Sequence, residues 1–367
     1  MNLQATLCQL ERDGNLRRIP AESPAGIVDL STNDYLAIGA DRDMQRRFLE
    51  SATESLTSSA SRLLTSDQHS YTRLESLLKE LSGGREALLF NSGYHANTGI
   101  VAAISDTRTL IVADKLVHAS IIDGIRLGGA HFERFRHNSL PHLEKILAAK
   151  ASGYETVVVI VESIYSMDGD KADLESLVAL KRRYPNLLLY VDEAHAVGVC
   201  GPNALGLADS LGLIGDIDII VGTCGKALAS SGAFVLCDPA MKSFLINRAR
   251  SLIFSTALPP ICAEWTACVM EHLVSDHTRA RALGERVALM DELLGRSGGS
   301  HIVPIPVGDP RRAVELSQKL LESGFRVLPI RVPTVPPGTD RLRLSLTPEV
   351  SPDDLRRFVI TLKNLTA

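Results

Sequence analysis

Three features of the sequence predict an α/β fold built on a mostly parallel sheet with helices on both faces. Short apolar or β-branched runs alternate with helical patterns from about Glu86 to Cys237. Several of those runs, such as Val157-Val158-Val159-Ile160-Val161, are apolar without alternation, as strands covered on both faces are. Polar, chemistry-bearing residues gather where the runs end, which is where ligands collect in open α/β sheets.

In chain order, the runs place strands over residues 87–91, 109–114, 156–161, 187–192, 217–223 and 233–237. The segments between them, 68–81, 95–103, 118–127, 140–150 and 174–184, carry apolar residues at i, i+3 and i+4 and are expected as helices. Beyond a helical stretch starting near Pro260, the pattern changes to strand, helix, strand, strand, helix over 302–306, 311–322, 326–330, 342–346 and 352–365. That order suits a smaller α+β domain. Pro329, Pro333, Pro336 and Pro337 crowd the stretch 328–339, which is expected as a stiff loop. The domain boundaries expected are an N-terminal segment over 1–40, a large α/β domain over 41–260 and a smaller domain over 261–367. No internal repeat or low-complexity tract interrupts the chain.

Length and charge narrow the function. A chain of 367 residues can bury two real cores. Its 39 Lys and Arg against 43 Asp and Glu provide no basic field for nucleic acid or membrane. No stretch approaches the ~20 apolar residues needed to cross a bilayer, and residues 1–18 lack the apolar segment of a signal peptide, so the expected compartment is the cytoplasm. The six cysteines form no CxxC pair, which argues for buried thiols and against a zinc or thioredoxin motif; no metal site is expected.

Neither the G-x-G-x-x-G dinucleotide fingerprint nor the G-x-x-x-x-G-K-[ST] phosphate loop is present, so another anionic cofactor is called for. Lys226 follows an apolar strand and a glycine and is the sole charge in the run 219–237. Desolvation lowers a lysine's pKa and frees its amine for Schiff-base chemistry, although a lone strand-end lysine more often snorkels to solvent. Asp192, ending another apolar strand, could hold a pyridinium nitrogen, or could equally cap a helix. Ser92-Gly93-Tyr94 lies at a helix start whose N–H groups could cradle phosphate, and His118 opens a helix where an imidazole could stack on a planar ring. Each observation is weak alone; their conjunction on one sheet points to pyridoxal 5'-phosphate.

Six collinear motifs then resemble the α-oxoamine synthases, fold-type-I pyridoxal-phosphate enzymes that condense an amino acid with an acyl-CoA thioester. They are Ser31-Thr32-Asn33-Asp34-Tyr35-Leu36, Asn91-Ser92-Gly93-Tyr94, Asp114-Lys115-Leu116-Val117-His118-Ala119-Ser120, Glu162-Ser163-Ile164-Tyr165-Ser166-Met167-Asp168-Gly169-Asp170, Asp192-Glu193-Ala194-His195 and Thr223-Cys224-Gly225-Lys226. The loop Ile330-Arg331-Val332-Pro333-Thr334-Val335-Pro336, with Gly338-Thr339 and Arg341-Leu342-Arg343, is most similar to the branch that uses L-alanine and a pimeloyl thioester.

The resemblance implies roles by position. Lys226 would bind the cofactor's aldehyde, Asp192 would pair with its ring nitrogen, His195 and Ser166 would lie near its phenolic oxygen, and His118 would stack on the ring. Gly93, Tyr94 and Thr223 would bind or border the phosphate. Asn33 and Arg331 would hold the amino acid's carboxylate, while Arg17 and Thr334 would meet the acyl substrate, pimeloyl-CoA or a pimeloyl-carrier protein. A homodimer is implied, with Ser255-Thr256 approaching the partner's phosphate. The resemblance also leaves open a family member using glycine or serine, and a noncatalytic partner subunit. The sequence departs from the family pattern at Ser58-Ser59-Ala60-Ser61-Arg62, at Ala196-Val197-Gly198 and at residues 227–231, where glycines are common.

Overall fold

The computed structural model describes residues 2–19 and 25–366. The chain divides into two compact units, one of residues 36–165 and 171–277, the other of the described residues of 1–35, 166–170 and 278–367. In this grouping the N-terminal stretch up to Tyr35 goes with the C-terminal part, and the helix Pro260–Ser275 goes with the larger unit, where the sequence reading draws its lines after residues 40 and 260.

The larger unit is built on a seven-stranded sheet. Its strands are β1 (Glu86–Phe90), β2 (Thr109–Asp114), β3 (His131–Phe135), β4 (Thr156–Glu162), β5 (Leu187–Asp192), β6 (Ile219–Thr223) and β7 (Ala233–Cys237), in the order β1-β7-β6-β5-β4-β2-β3. From β6 across to β3 every pairing is parallel, and only β7 runs against its neighbours. Because β7 is antiparallel to both β1 and β6, those two share a direction, and Phe90 and Thr223 both pair with Ala233. The carboxyl ends of β1, β2, β4, β5 and β6 therefore open on one edge.

The strand positions follow the apolar runs closely. The β3 strand is the exception that the sequence reading misses: His131, Phe132, Glu133 and Arg134 mix charge and exposure as an edge strand does. By contrast β4 is buried at both alternations from Val157 to Glu162. Side chains of β1, β2, β4, β5, β6 and β7 join those of α1 (Gly93–Ala103) and α2 (Ala119–Leu127) in one core cluster, among them Phe90, Ile100, Ile111, Ile121, Ile160 and Val221. Each such side chain removed from water contributes about 1.5–3 kcal/mol.

Two glycines set close approaches within this core. A Cβ at Gly124 would stand 2.9 Å from Val101 Cβ and 3.0 Å from the Asn97 carbonyl oxygen, so α1 and α2 touch at their backbones. A Cβ at Gly222 would lie 2.3 Å from the ring of Phe234.

In the smaller unit, strands β8 (Ile302–Pro306), β9 (Leu328–Ile330) and β10 (Arg341–Ser345) form an antiparallel sheet with β10 in the middle. The expected strand over 326–330 is split, because Phe325–Arg326 pairs instead with Val28–Asp29, and the expected loop over 328–339 begins as β9. Helices Leu3–Arg12, Thr278–Leu294, Pro310–Glu322 and Pro352–Thr366 also belong to the unit, the last two burying Leu316, Leu320, Phe358 and Leu362. Among the described residues, no helix is long and apolar enough to cross a membrane, and no group of His, Cys, Asp and Glu could hold a metal ion.

Candidate active site

Lys226 sits in the connection from β6 to β7, residues 224–232. Backbone bonds close that loop on itself: Cys224 N–H donates to Gly232 O at 2.9 Å, Ser230 N–H to Cys224 O at 2.9 Å and Ala229 N–H to Lys226 O at 2.8 Å. The helix Pro260–Ser275 pins it further, Trp265 Nε1 donating to Ala229 O at 3.0 Å and Ser230 Oγ to Cys262 O at 3.1 Å. In this clamped loop Lys226 is half-buried, with its Nζ 2.8 Å from His195 Nε2. Adjacent Cys224 is fully buried and its thiol is pushed up to about 12 by burial, so it stays protonated and unreactive.

Asp192 closes β5 and is only 4% exposed. A carboxylate there must be satisfied, and the fold supplies two donors: Ala194 N–H to Oδ1 at 2.9 Å and Asn97 Nδ2 to Oδ2 at 2.7 Å. Asn97 also donates to Ser120 Oγ at 3.0 Å and accepts from the Tyr190 hydroxyl at 2.6 Å. Ser120 Oγ in turn lies 2.8 Å from Nδ1 of His118, the N-cap of α2. Burial holds the His118 imidazole below its ordinary value; the Asp192 charge opposes that shift and the Lys226 charge adds to it. Asp192 and Lys226 therefore both act on His118, and Lys226 in turn meets His195.

At the start of α1, Ser92 is the N-cap, its Oγ accepting from His95 N–H at 3.2 Å. The first N–H groups of a helix, here those of Gly93 and Tyr94, have no acceptor within it and carry the positive end of its dipole. A Cβ at Gly93 would be 3.7 Å from Thr223 Cβ, so the α1 start faces the end of β6. The Tyr94 ring is exposed and its hydroxyl donates to Asp123 Oδ2 at 2.7 Å.

Glu193, between Asp192 and His195, is a residue that the sequence reading gives no role. Fully buried, its carboxylate accepts from Ala208 N–H at 2.7 Å, from Leu207 N–H at 3.0 Å and from Ser163 Oγ. Burial nevertheless raises it to about 7, the three donors pulling the other way. It ties the turn carrying His195 to the segment starting at Leu207.

Five other expected residues, Arg17, Asn33, Ser166, Arg331 and Thr334, lie in the smaller unit. Asn33 Oδ1 accepts from the Tyr35 hydroxyl at 2.9 Å, and Tyr35 is met at 3.1 Å by Arg343 Nη2. Arg343 is buried on the central strand β10; its Nε donates to the Ser166 carbonyl at 2.6 Å and its Nη1 to Ser345 Oγ at 2.8 Å. The neighbouring Arg341 pairs with Asp168, so one strand fastens the segment 166–170 at two points. Arg331 is elsewhere in the unit, donating to the Gly14 carbonyl, while Arg17 Nη2 donates to Thr334 Oγ1 at 2.8 Å. Burial first, then the nearby Arg17 charge, lowers the Arg331 guanidinium from its ordinary value. Thr334, which receives Arg17, is itself tied to Arg331 by its N–H to the Arg331 carbonyl at 2.9 Å, while the network of Asn33 contains Arg343.

For pyridoxal phosphate the larger unit has a suitable donor set: a primary amine at Lys226, an acceptor-only carboxylate at Asp192 held by two N–H donors, and a helix start at Gly93 beside the hydroxyl of Thr223. The residues present fit the group.

Comparisons with known proteins agree with this chemistry. The model of the aminotransferase class I and II family matches residues 25–362. An 8-amino-7-oxononanoate synthase of Haemophilus ducreyi is 45% identical over 351 residues, which cover 92% of this chain and 91% of that protein. Among solved structures, a serine palmitoyltransferase variant from S. paucimobilis with a bound PLP–myriocin aldimine superposes with a TM-score of 0.89 at 28% identity, covering 99% of this chain and 96% of its own. An 8-amino-7-oxononanoate synthase from Francisella tularensis superposes with a TM-score of 0.78 at 26% identity, over 93% of this chain and 98% of its own. The fold is that of the fold-type-I pyridoxal-phosphate enzymes.

Proposed function

Because the chain belongs to the class I and II aminotransferase family and, within it, to the pyridoxal-phosphate-dependent 8-amino-7-oxononanoate synthases, we propose that it condenses L-alanine with a pimeloyl thioester. The products are 8-amino-7-oxononanoate, carbon dioxide and the free thiol of CoA or of a carrier protein, a step of biotin biosynthesis. The observation that carries this reading is the group Lys226, His195 and Asp192 at the carboxyl edge of the sheet, in a chain 45% identical to a named synthase over nearly its whole length.

Pyridoxal phosphate, when bound, supplies an aldehyde that exchanges amines and a ring that draws electrons from bonds at the amino acid's α-carbon. Lys226 would hold that aldehyde and, with its amine free, would take the α-proton of L-alanine as general base. Asp192, whose two oxygens accept from Ala194 and Asn97, would pair with the ring nitrogen and favour its protonated form. His195 and Ser166 would act at the phenolic oxygen, and His118, whose imidazole burial holds below its ordinary value, would lie against the ring. Gly93, Tyr94 and Thr223 would bind the phosphate. The α-carbon bonds to the thioester carbonyl carbon as the thiolate leaves; the bond to the carboxylate then breaks, carbon dioxide departs, and Lys226 returns a proton to the carbon.

Two carboxylates need cations. The link from Asn33 through Tyr35 to Arg343 supports assigning the amino acid's carboxylate to Asn33 and Arg343. The nearness of the Arg17 and Arg331 charges, with Thr334 bonded to both residues, supports assigning the distal carboxylate of the pimeloyl chain to those three. This exchanges the role of Arg331 relative to the sequence reading. A homodimer in solution is part of the same proposal, and sedimentation at the mass of two chains is expected.

The 0.89 TM-score with a serine palmitoyltransferase favours a second reading, serine with a longer acyl chain. Thiol release measured with alanine, glycine and serine against pimeloyl-CoA and palmitoyl-CoA separates the two. The highest kcat/KM is expected for alanine with pimeloyl-CoA; a higher value for serine with palmitoyl-CoA would establish the second reading. A noncatalytic subunit would release no thiol from any pair.

A further inference from the structure

Asn97, Ser120 and Tyr190 take no part in the chemistry above, yet they join Asp192 to His118. All three are buried, as is Asp192. Hydrogen-bond inventory fixes the direction of each link. The Tyr190 hydroxyl has one proton, and burial, then the nearby Asp192 charge, holds its pKa well above the ordinary value, so it is a donor. It donates to Asn97 Oδ1 at 2.6 Å. The Asn97 amide is thereby oriented with Nδ2 toward Asp192 Oδ2, 2.7 Å away; the flipped amide would set two acceptors against each other and leave the tyrosine facing an NH2 group.

The second Nδ2 hydrogen goes to Ser120 Oγ at 3.0 Å. With its oxygen accepting there, Ser120 has its own proton to give, and the remaining neighbour is His118 Nδ1 at 2.8 Å. The Ser120 backbone N–H points at the same nitrogen from 3.3 Å. Nδ1 is therefore an acceptor from two donors, and a proton on it would face both. The charged groups acting on the ring are Asp192 from β5, Lys226 from the β6–β7 loop and Asp123 from its own helix; burial outweighs them.

We propose that Asn97 is a positioning residue that sets two features of the site together: the orientation of Asp192 toward the cofactor's ring nitrogen and, through Ser120, the neutral Nε2–H tautomer of His118. The proposal rests on the pyridoxal-phosphate reading for its first half only, since the tautomer belongs to the protein with or without cofactor. The site then presents an N–H donor, not an acceptor or a cation, from the Nε2 side of His118.

The test uses the full chain labelled with 15N-histidine, with and without pyridoxal phosphate, as wild type and as Asn97→Ala, Ser120→Ala and Tyr190→Phe. Histidine 15N shifts report the tautomer; cofactor titration and the pH dependence of its visible absorption report Asp192. In wild type His118 is expected as the Nε2–H tautomer at neutral pH. Ser120→Ala should mix the tautomers while leaving the cofactor's Kd within about twofold. Asn97→Ala should mix them too, weaken cofactor binding by about tenfold or more and move the pH midpoint of the absorption band. If Asn97→Ala does not fold, Tyr190→Phe, which frees the amide to turn, should shift the same midpoint in the same direction. A proton on His118 Nδ1 in wild type, or a folded Asn97→Ala or Tyr190→Phe protein with unchanged spectrum and midpoint, overturns the proposal. Failure of wild type to bind pyridoxal phosphate would count against the functional reading, with the tautomer then deciding this one.

Discussion

Arg343 Nη2 donates to the Tyr35 hydroxyl at 3.1 Å, and that hydroxyl passes the link on to Asn33 Oδ1 at 2.9 Å. Three of the five N–H donors of Arg343 are used among the described residues, leaving a planar cation with capacity for a carboxylate. Arg343→Lys, which keeps the charge and loses the fork, is expected to raise the KM for alanine by about tenfold with little change for the thioester. Arg331→Lys should do the reverse. Steady-state kinetics with each substrate varied in turn checks both.

Glu193 gives the fold a pH dependence of definite sign. Its carboxyl is raised from 4.5 to about 7, so between those values the folded protein holds a proton that the unfolded chain has lost. The stability it contributes is complete below the unfolded value and falls as pH rises through the folded one, by an amount on the order of a few kcal/mol. Thermal melts of wild type and Glu193→Gln over this range should diverge in slope, the variant lacking this decline.

Gly124 tests the approach of the two helices that carry Asn97 and Ser120. An added methyl would meet Val101 Cβ at 2.9 Å and the Asn97 carbonyl oxygen at 3.0 Å. Gly124→Ala is expected to lower stability by about 1–3 kcal/mol in denaturant melts and to weaken cofactor binding, because the Asn97–Ser120 bond spans the same contact.

Ala229, in the Lys226 loop, has φ of 46°, the left-handed region that glycine enters without cost. Ala229→Gly should be neutral or stabilising by up to about 1 kcal/mol, as the relief of strain outweighs the added freedom of the unfolded chain. A clear loss of stability in the same melts would contradict that account. Ser59 occupies the same region at φ of 51°, in another of the three stretches where the sequence departs from the glycines of the family pattern.

Much of the sheet was legible because apolar runs such as Val157 to Val161 can be buried on both faces in few other ways. Lys226 and Asp192, each ambiguous alone at the end of an apolar strand, gained meaning from their conjunction, and His195 from the family resemblance. Asn97 and Tyr190 did not: one reads as a polar residue inside a helix and the other as part of an apolar strand, and the bond joining them spans 93 positions. Arg343 was hidden for a related reason. Arg341 and Arg343 look alike in sequence and the pleat sets both on one face of β10; it is their position along the strand that buries Arg343 beside Tyr35 and leaves Arg341, at the strand start, to pair with Asp168. Strand β3 escaped notice because an edge strand does not need an apolar pattern.

The central claim is tested most directly by free-thiol release from pimeloyl-CoA when L-alanine is added to the protein loaded with pyridoxal phosphate, with Lys226→Ala as the blank. Alanine-dependent release by wild type that the variant lacks is the predicted result. No release above the blank from protein that has taken up the cofactor would contradict the proposed substrate pair.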